Sequence, residues 1–198
     1  MSKLFLIGVA CVGTSSIGEE ISKKMDCNFY DFSFIIENVK GKTMPRLHKE
    51  FFTPHSMREH CRPILESFID QHVDEDYVMA LTPSCLMDHY WKALKTEKDR
   101  TVIAIEDRPE NIMNRVRFYD DDQRPLIIKL TSTQKSNLIK RIRADATYFR
   151  RSYKRADYQV DLDGRNIQDA ADLILEVLNT PVCSTENMTK HGGQGDVI

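Results

Sequence analysis

The first 25 residues constrain the fold most strongly, because an apolar stretch runs directly into a glycine-bounded loop and then into a helical pattern. The stretch Leu4–Val12 reads LFLIGVACV, and Gly8 and Gly13 are five positions apart. The apolar positions that follow are four residues apart and share one helix face: Ile17, Ile21 and Met25. The same stretch could begin a secretory signal, but it is short and no small-residue cleavage site is well formed. We therefore predict a buried first strand, a loop and a helix.

The rest of the chain continues this alternation of short apolar runs and amphipathic segments. The predicted strands are Leu4–Gly8, Asn28–Asp31, Tyr77–Thr82, Thr101–Ile105 and Tyr158–Asp161. The predicted helices are Ser16–Met25, Met57–Val73, Leu86–Lys98, Pro109–Phe118, Gln134–Tyr153 and Ile167–Leu178. Strands that alternate with helices form a mostly parallel sheet with helices on both faces, so the predicted class is α/β. At 198 residues we expect one domain, over residues 1–179, followed by a disordered tail at 180–198.

Composition excludes several kinds of protein. Hydrophobic residues make up 41% and charged residues 29% of the chain, which is ordinary for a globular domain and excludes a disordered one. The net charge of −2 disfavours a nucleic-acid partner, and no run approaches the roughly 18 apolar residues of a membrane span. The five cysteines are odd in number and no pair has C-x-x-C spacing, which favours a reducing, cytoplasmic location over a disulfide framework.

The glycine spacing is that of a phosphate-binding loop, GxxxxG, which normally continues with Lys and then Ser or Thr. Thr14 stands at the lysine position and Ser15 at the hydroxyl position. Backbone N–H groups of such a loop and of the next helical turn can bind an anion without the lysine, and Ser15 could reach Mg²⁺. The absence of lysine removes a positive charge that phosphoryl transfer needs. A tight turn retained only for packing is the alternative interpretation.

The chain resembles the shikimate kinases, small P-loop kinases of the nucleoside monophosphate kinase group, from residue 1 to about residue 178. The resemblance is carried, in chain order, by the segments LFLIG, NFYDFSFIIE, MREHCRPILESFI, DYVMALTPS, TVIAIED, DQRPLI and RRSYKRADYQVDLDG. It implies a three-layer P-loop fold with five parallel strands in the order 2-3-1-4-5. It also implies ATP as the phosphate donor and Mg²⁺ as its companion ion.

The resemblance further implies roles for individual residues. The implied nucleotide-binding residues are Gly8, Gly13, Thr14, Ser15, Ser16 and Arg124, the last in the family's Arg-Pro-Leu lid sequence. The implied substrate-binding residues are Asp31, Ser33, Arg58, Arg150 and Arg151. In this set Arg58 is expected to pair with a substrate carboxylate. Asp31 is also the implied catalytic residue, and Ser15 the implied ligand of Mg²⁺.

Three places depart from the family's pattern. Thr14 replaces the loop lysine, Ser33 replaces the second carboxylate of an Asp-x-Asp, and Thr82-Pro83-Ser84 replaces three glycines beside the substrate. Proline has no backbone donor and a fixed φ, so it cannot reproduce a glycine contact. We therefore predict a degenerate site in a catalytically inactive or very weak binding or regulatory protein. Its expected partner is a nucleotide, a small anionic metabolite or another protein.

Two alternatives to a degenerate site stay open. One is an active ATP-dependent kinase of a small hydroxylated metabolite, in which another lysine or arginine replaces the missing charge. The other is a purely structural role in a complex. An assay of ADP release separates the first alternative from both other hypotheses.

Three further groups of residues invite a functional interpretation. His55, His60 and Cys61 could be metal ligands, although histidines on a polar helix surface explain them as well. The acidic run at 120–122 could bind Mg²⁺ or form an exposed loop. The basic segment at 140–155 could contact phosphate, face solvent or meet a nucleic acid.

Overall fold

The structure is a computed structural model that describes residues 3–84, 87–95, 97 and 99–180. Five strands form its central parallel sheet: β1 (Lys3–Gly8), β2 (Asn28–Asp31), β3 (Tyr77–Ala80), β4 (Arg100–Glu106) and β7 (Tyr158–Asp161). A separate antiparallel hairpin comes before the last of these strands and consists of β5 (Phe118–Tyr119) and β6 (Pro125–Leu126). The order across the sheet is β2-β3-β1-β4-β7. The predicted α/β class and strand order are confirmed, with β7 as the fifth strand of the sheet.

Helices flank the sheet throughout the described part of the chain. They are α1 (Thr14–Met25), α2 (Phe32–Lys40), α3 (Met44–Glu50), α4 (Pro54–Gln71), α5 (Asp88–Leu94), α6 (Pro109–Arg115), α7 (Ser132–Tyr153) and α8 (Ile167–Asn179). The helix α4 continues through Pro63 without ending. The side chain of Thr53 accepts the N–H of Ser56, and the hydroxyl of Ser56 caps Thr53 in return, which satisfies donors that a helix start leaves open.

The sheet places several loops at one edge. Every residue of β1 and β3 is buried, including Lys3, whose ammonium group lies 2.9 Å from a carboxylate oxygen of Glu97. The register pairs Leu6 with Ala80, and Ala80 with Asp31. The carboxyl ends of β1, β2 and β3 therefore lie side by side, and open parallel sheets bind ligands at that edge.

Two helices and the hairpin were not predicted. The helix α2 begins where the Asp31 carboxylate accepts the N–H of Ser33, and it ends at Gly41, whose φ of 64° is left-handed. The predicted helix at 86–98 is observed as the shorter α5, and residues 85, 86, 96 and 98 lie outside the described residues. The predicted tail lies outside them as well beyond residue 180. No described helix is both long and apolar enough to cross a membrane.

Candidate active site

Residues 8–13, which we call the glycine loop, connect β1 to α1. Gly13 has a φ of 113°, a conformation that side chains with a Cβ rarely adopt. A Cβ on Gly8 would lie 2.7 Å from Val12 Cγ1 and 2.9 Å from the carbonyl oxygen of Ile105. Both glycines are therefore required by the path of the loop, the first by close packing and the second by its backbone angles.

The glycine loop ends at the amino terminus of α1. Gly13 is the residue before the helix, and it provides no side chain to cap the first turn. The opening N–H groups of a helix have no acceptor within it, and with the helix dipole they favour a bound anion. Thr14, the first residue of α1, is only 6% exposed. The position at which the sequence pattern expects lysine thus carries a nearly buried neutral side chain.

Ser15 and Asp31 meet at the carboxyl ends of β1 and β2. The Ser15 hydroxyl donates to Asp31 Oδ2 at 2.6 Å, while Asp31 Oδ1 accepts the N–H of Ser33 at 2.9 Å. The Asp31 carboxylate is therefore oriented by two donors. A serine hydroxyl beside a carboxylate is a donor set that suits Mg²⁺, which binds through a few protein oxygens and keeps several waters. These residues fit the ion that the sequence implied.

A cavity of about 680 Å³ opens beside the glycine loop and the start of α1. This size is within the range of small-molecule and cofactor pockets. Its walls are formed by residues 11–17, residues 114, 115, 117 and 119, residues 162 and 165–168, and by Ser33, Leu81 and Pro83. The cavity is hereafter called the main cavity. It brings together Gly13, Thr14, Ser15, Ser16 and Ser33 of the predicted site residues, with Gly8 and Asp31 directly adjoining them.

Three arginines line the main cavity, and sequence reasoning selected none of them. They are Arg115, Arg117 and Arg165. The guanidinium of Arg115 is already bound within the protein, because it lies 2.6 Å from Asp107 Oδ2 and donates to the carbonyl oxygen of Arg165 at 3.1 Å. Burial opposes ionisation of Asp107, but hydrogen bonds from Asn111 and Arg115 hold its pKa below the ordinary value. Arg117 forms no ion pair with any residue that the structure describes. Its only sequence signal was a positive charge between α6 and the hairpin.

Arg58 lies on α4 and is only 5% exposed. Its Nη2 atom donates to the carbonyl oxygens of Pro83 at 3.2 Å and Ser84 at 3.0 Å. The arginine to which the family resemblance gave a substrate carboxylate is thus packed against the turn that follows β3. Whether it also binds a carboxylate stays a prediction.

The other predicted arginines lie away from the walls of the main cavity. Arg124 is exposed on the hairpin, where its backbone N–H donates to Asp120 Oδ1 at 2.8 Å. Arg150 lines a separate cavity of about 250 Å³ between β4, α6 and α7, together with Arg143. Arg151 is exposed on α7. The family resemblance implied that they belong to the site, and the described structure does not bring them to the glycine loop.

The acidic run at 120–122 belongs to residues 118–126, which we call the acidic hairpin. Lys49 lies 2.5 Å from Asp121, and Arg46 lies 2.5 Å from Asp122. Thr43 Oγ1 also donates to the carbonyl oxygen of Asp121 at 2.7 Å. These contacts hold the acidic hairpin against α3. Of the two interpretations of the acidic run, the exposed loop describes its surroundings better.

The structure separates the three residues considered as metal ligands. The ring of His60 lies against Phe51, and Cys61 is fully buried. His55 instead faces His89 on α5, with a distance of 3.1 Å between the two Nε2 atoms. Within the described residues no three or more metal-ligating side chains form a cluster that could hold an ion.

Comparison with known proteins decides the family. A sequence model of the family described as shikimate kinase matches residues 10–179, which is most of the chain. The chain belongs to the shikimate kinase family. A shikimate kinase of Thermus thermophilus is 29% identical to it over 175 residues, which are 87% of this chain and 88% of that protein.

Solved shikimate kinases share the fold. The enzyme from Bacteroides thetaiotaomicron superposes with a TM-score of 0.69 at 22% identity, over 90% of this chain and 99% of that one. The enzyme from Acinetobacter baumannii, solved in complex with shikimate, has a TM-score of 0.69 at 18% identity, over 90% of this chain and 93% of the other. Identities this low support the shared P-loop kinase architecture and do not carry residue roles.

Proposed function

We propose that this shikimate kinase-like protein binds a nucleotide in the main cavity but phosphorylates shikimate very weakly or not at all, and therefore acts as a binding or regulatory protein. The observation that carries the proposal is Thr14. A neutral, nearly buried side chain opens α1 where a phosphate-binding loop has its lysine, while the backbone around it keeps the form of an anion cradle.

Nucleotide binding is supported by what this site retains. The free N–H groups at the start of α1 attract phosphate oxygens, and the cavity beside them is large enough for a nucleotide. Ser15 and Asp31 are the residues that would hold Mg²⁺, which when bound neutralises charge on phosphate oxygens. The carboxylate of Asp31 is held by hydrogen bonds from Ser15 and Ser33, so it loses little conformational freedom when it binds an ion.

Weak or absent turnover is supported by what the site lacks. Phosphoryl transfer depends on positioning and on positive charge near the transferred group. Removing one such preorganised group typically costs a factor on the order of 10³ in rate. Pro83, which also lines the main cavity, has no N–H to offer a substrate. Two defects in one cavity are harder to compensate than one.

A second candidate function is an active small-molecule kinase with a replacement cation. The observation in its favour is Arg117, which lines the main cavity and has no ion-pair partner among the residues described. Arg124, Arg150 and Arg151 are weaker candidates for that charge, because the described walls of the main cavity do not include them.

The experiment is a pair of measurements on the wild type and four variants. Calorimetric titration with ATP and Mg²⁺ measures binding, and ADP release with shikimate measures turnover. We expect weak ATP binding, with a dissociation constant that falls about 10- to 100-fold in Thr14→Lys, the scale of a charge-assisted hydrogen bond. Thr14→Met, similar in length but neutral, is the matched control and should not tighten binding.

Each outcome separates the candidates. No change in ATP affinity for Thr14→Lys would mean that the loop is not a phosphate cradle. Shikimate turnover above about 1 s⁻¹ in the wild type, an ordinary enzymatic rate, would refute the proposal. If that turnover is lost in Arg117→Met and kept in Arg124→Met, the replacement-cation kinase is the correct function.

A further inference from the structure

We propose that Ser84 and Arg58 are positioning residues that hold the first half of the glycine loop in its binding form. The family places the corresponding stretch beside the substrate, whereas the described contacts direct it toward the loop. The inference rests on the proposed nucleotide site only for one of its two readouts.

Ser84 ties the turn after β3 to the glycine loop at two points. Its N–H donates to the carbonyl oxygen of Gly8 at 3.0 Å, and its hydroxyl oxygen accepts the N–H of Ala10 at 2.9 Å. The two bonds lie on either side of Val9, so they fix the path of the loop as it leaves β1. Ala10 and Ser84 are 74 positions apart in sequence, so only the tertiary structure brings them together.

Ser84 is held in a conformation that serine rarely adopts. Its φ is 49°, in the left-handed region, which is sterically unfavourable for a residue with a Cβ. Such an outlier persists only where the surroundings determine it. Glycine would adopt the same angles without cost but would have no hydroxyl for Ala10. Serine therefore has an unfavourable backbone conformation here, but it makes a hydrogen bond with the glycine loop that glycine could not make.

Arg58 supplies the surroundings that hold this turn. Its guanidinium donates to the carbonyl oxygens of both Pro83 and Ser84, at 3.2 and 3.0 Å. A charged group that is 5% exposed is destabilising unless hydrogen bonds compensate its lost hydration, so this contact is strongly preferred over an open one. The chain of contacts therefore runs from α4 through the turn to the glycine loop.

This arrangement has a consequence for the anion cradle. The N–H of Ala10 is already engaged by Ser84 and is not available to phosphate, whereas the N–H groups at the start of α1 stay open. A loop that is positioned before the ligand arrives binds it with a smaller loss of conformational freedom. Loss of the Ser84 hydroxyl should therefore weaken nucleotide binding without touching the nucleotide.

The test compares Ser84→Ala with Ser84→Gly. Both variants lose the hydroxyl, but only glycine relieves the left-handed φ, so Ser84→Gly should unfold at higher urea than Ser84→Ala. We expect both to raise the ATP dissociation constant by a similar factor, about 2- to 10-fold, the worth of one hydrogen bond. If affinity instead follows stability, with Ser84→Gly binding ATP like the wild type, Ser84 has only a structural role and the proposal is wrong.

A second readout does not need any nucleotide. Hydrogen exchange of the Ala10 amide should accelerate about tenfold or more in Ser84→Gly and in Arg58→Gln, while the Val160 amide in the far strand β7 keeps its rate. Arg62→Gln is the matched control, because Arg62 lies on the same helix and pairs with Glu66 instead. An unchanged Ala10 rate in Ser84→Gly overturns the proposal. Absence of ATP binding in the wild type contradicts only the proposed function.

Discussion

The glycine loop and the acidic hairpin both border the main cavity, but different interactions hold them. The carbonyl oxygen of Gly8 accepts a buried hydrogen bond from the Tyr153 hydroxyl at 2.8 Å and a second one from the Ser84 N–H. The hairpin is held by ion pairs whose side chains are about half exposed, such as Lys49 with Asp121. One region is embedded in the protein, and the other lies on its surface.

The difference decides how each region responds to its surroundings. Buried hydrogen bonds and close packing are little affected by salt, and their loss leaves unsatisfied groups. Exposed ion pairs contribute little to stability and are screened within about 10 Å at 0.1 M salt. The glycine loop is therefore held by contacts that resist changes of solution conditions, whereas the contacts of the acidic hairpin are broken at low cost.

The largest expected effect comes from Gly8→Ala. The added Cβ would press on Val12 and on the β4 backbone, so we expect a loss of about 1–3 kcal/mol in the free energy of unfolding, measured by urea denaturation. Gly41→Asn at the end of α2 is the control. Gly41 has nothing within 4 Å of its would-be Cβ, and asparagine tolerates left-handed angles, so it should change stability by less than about 0.5 kcal/mol. Equal effects would mean that the loop is not closely packed.

The next effect is a loss of stability at acid pH, and it concerns the contact between His55 on α4 and His89 on α5. Burial, and then the neighbouring His55, lower the pKa of His89, with Lys92 and Arg62 adding to this and Glu59 opposing it. The unfolded chain then binds more protons than the folded one below about pH 6.5, so stability is complete above that pH and falls as the solution is acidified. Urea midpoints at pH 7.5 and 5.5 measure the loss.

Two comparisons sharpen this pH prediction. His89→Gln should be less sensitive to acid than the wild type. The contacts of the acidic hairpin should persist to lower pH. The hydrogen bond from Lys49 keeps the pKa of Asp121 below its ordinary value, so this contact is lost only as the pH falls past about 4. A wild type that is equally stable at pH 7.5 and 5.5 would contradict the predicted role of His89.

The smallest expected effect is that of salt on the hairpin. Raising salt to 1 M shortens the screening length to about 3 Å, so amides of residues 118–126 should exchange about two- to fivefold faster, while the Ala10 amide does not respond. In the double variant Arg46→Met, Lys49→Met the hairpin should already exchange faster and show no further salt effect. Equal acceleration of both regions would remove the distinction between them.

Local patterns sufficed for most of the individual strands and helices, whereas the strand order was implied by the family resemblance. The strands of the sheet could be found from short apolar runs, and α1, α4, α6, α7 and α8 from amphipathic patterns, because both signals depend on near neighbours in the chain. The helices α2 and α3 and the hairpin could not be found this way. They are short, with nine residues in α2, seven in α3 and two in each strand of the hairpin, so few repeats of any period are present. Contacts such as that of Arg46 with Asp122, across 76 positions, help to hold them.

The sequence by itself determined the strand, the glycine loop and the helix, and with them the placement of Thr14 and Ser15 at the carboxyl edge of the sheet. Only the tertiary structure decided the partners of the arginines. Arg58 donates to the carbonyl groups after β3, Arg117 lines the main cavity, and Arg150 lines another cavity. The physical reason is that a long charged side chain is placed by whichever acceptors the packed strands and helices bring within its reach, and chain order does not encode that distance.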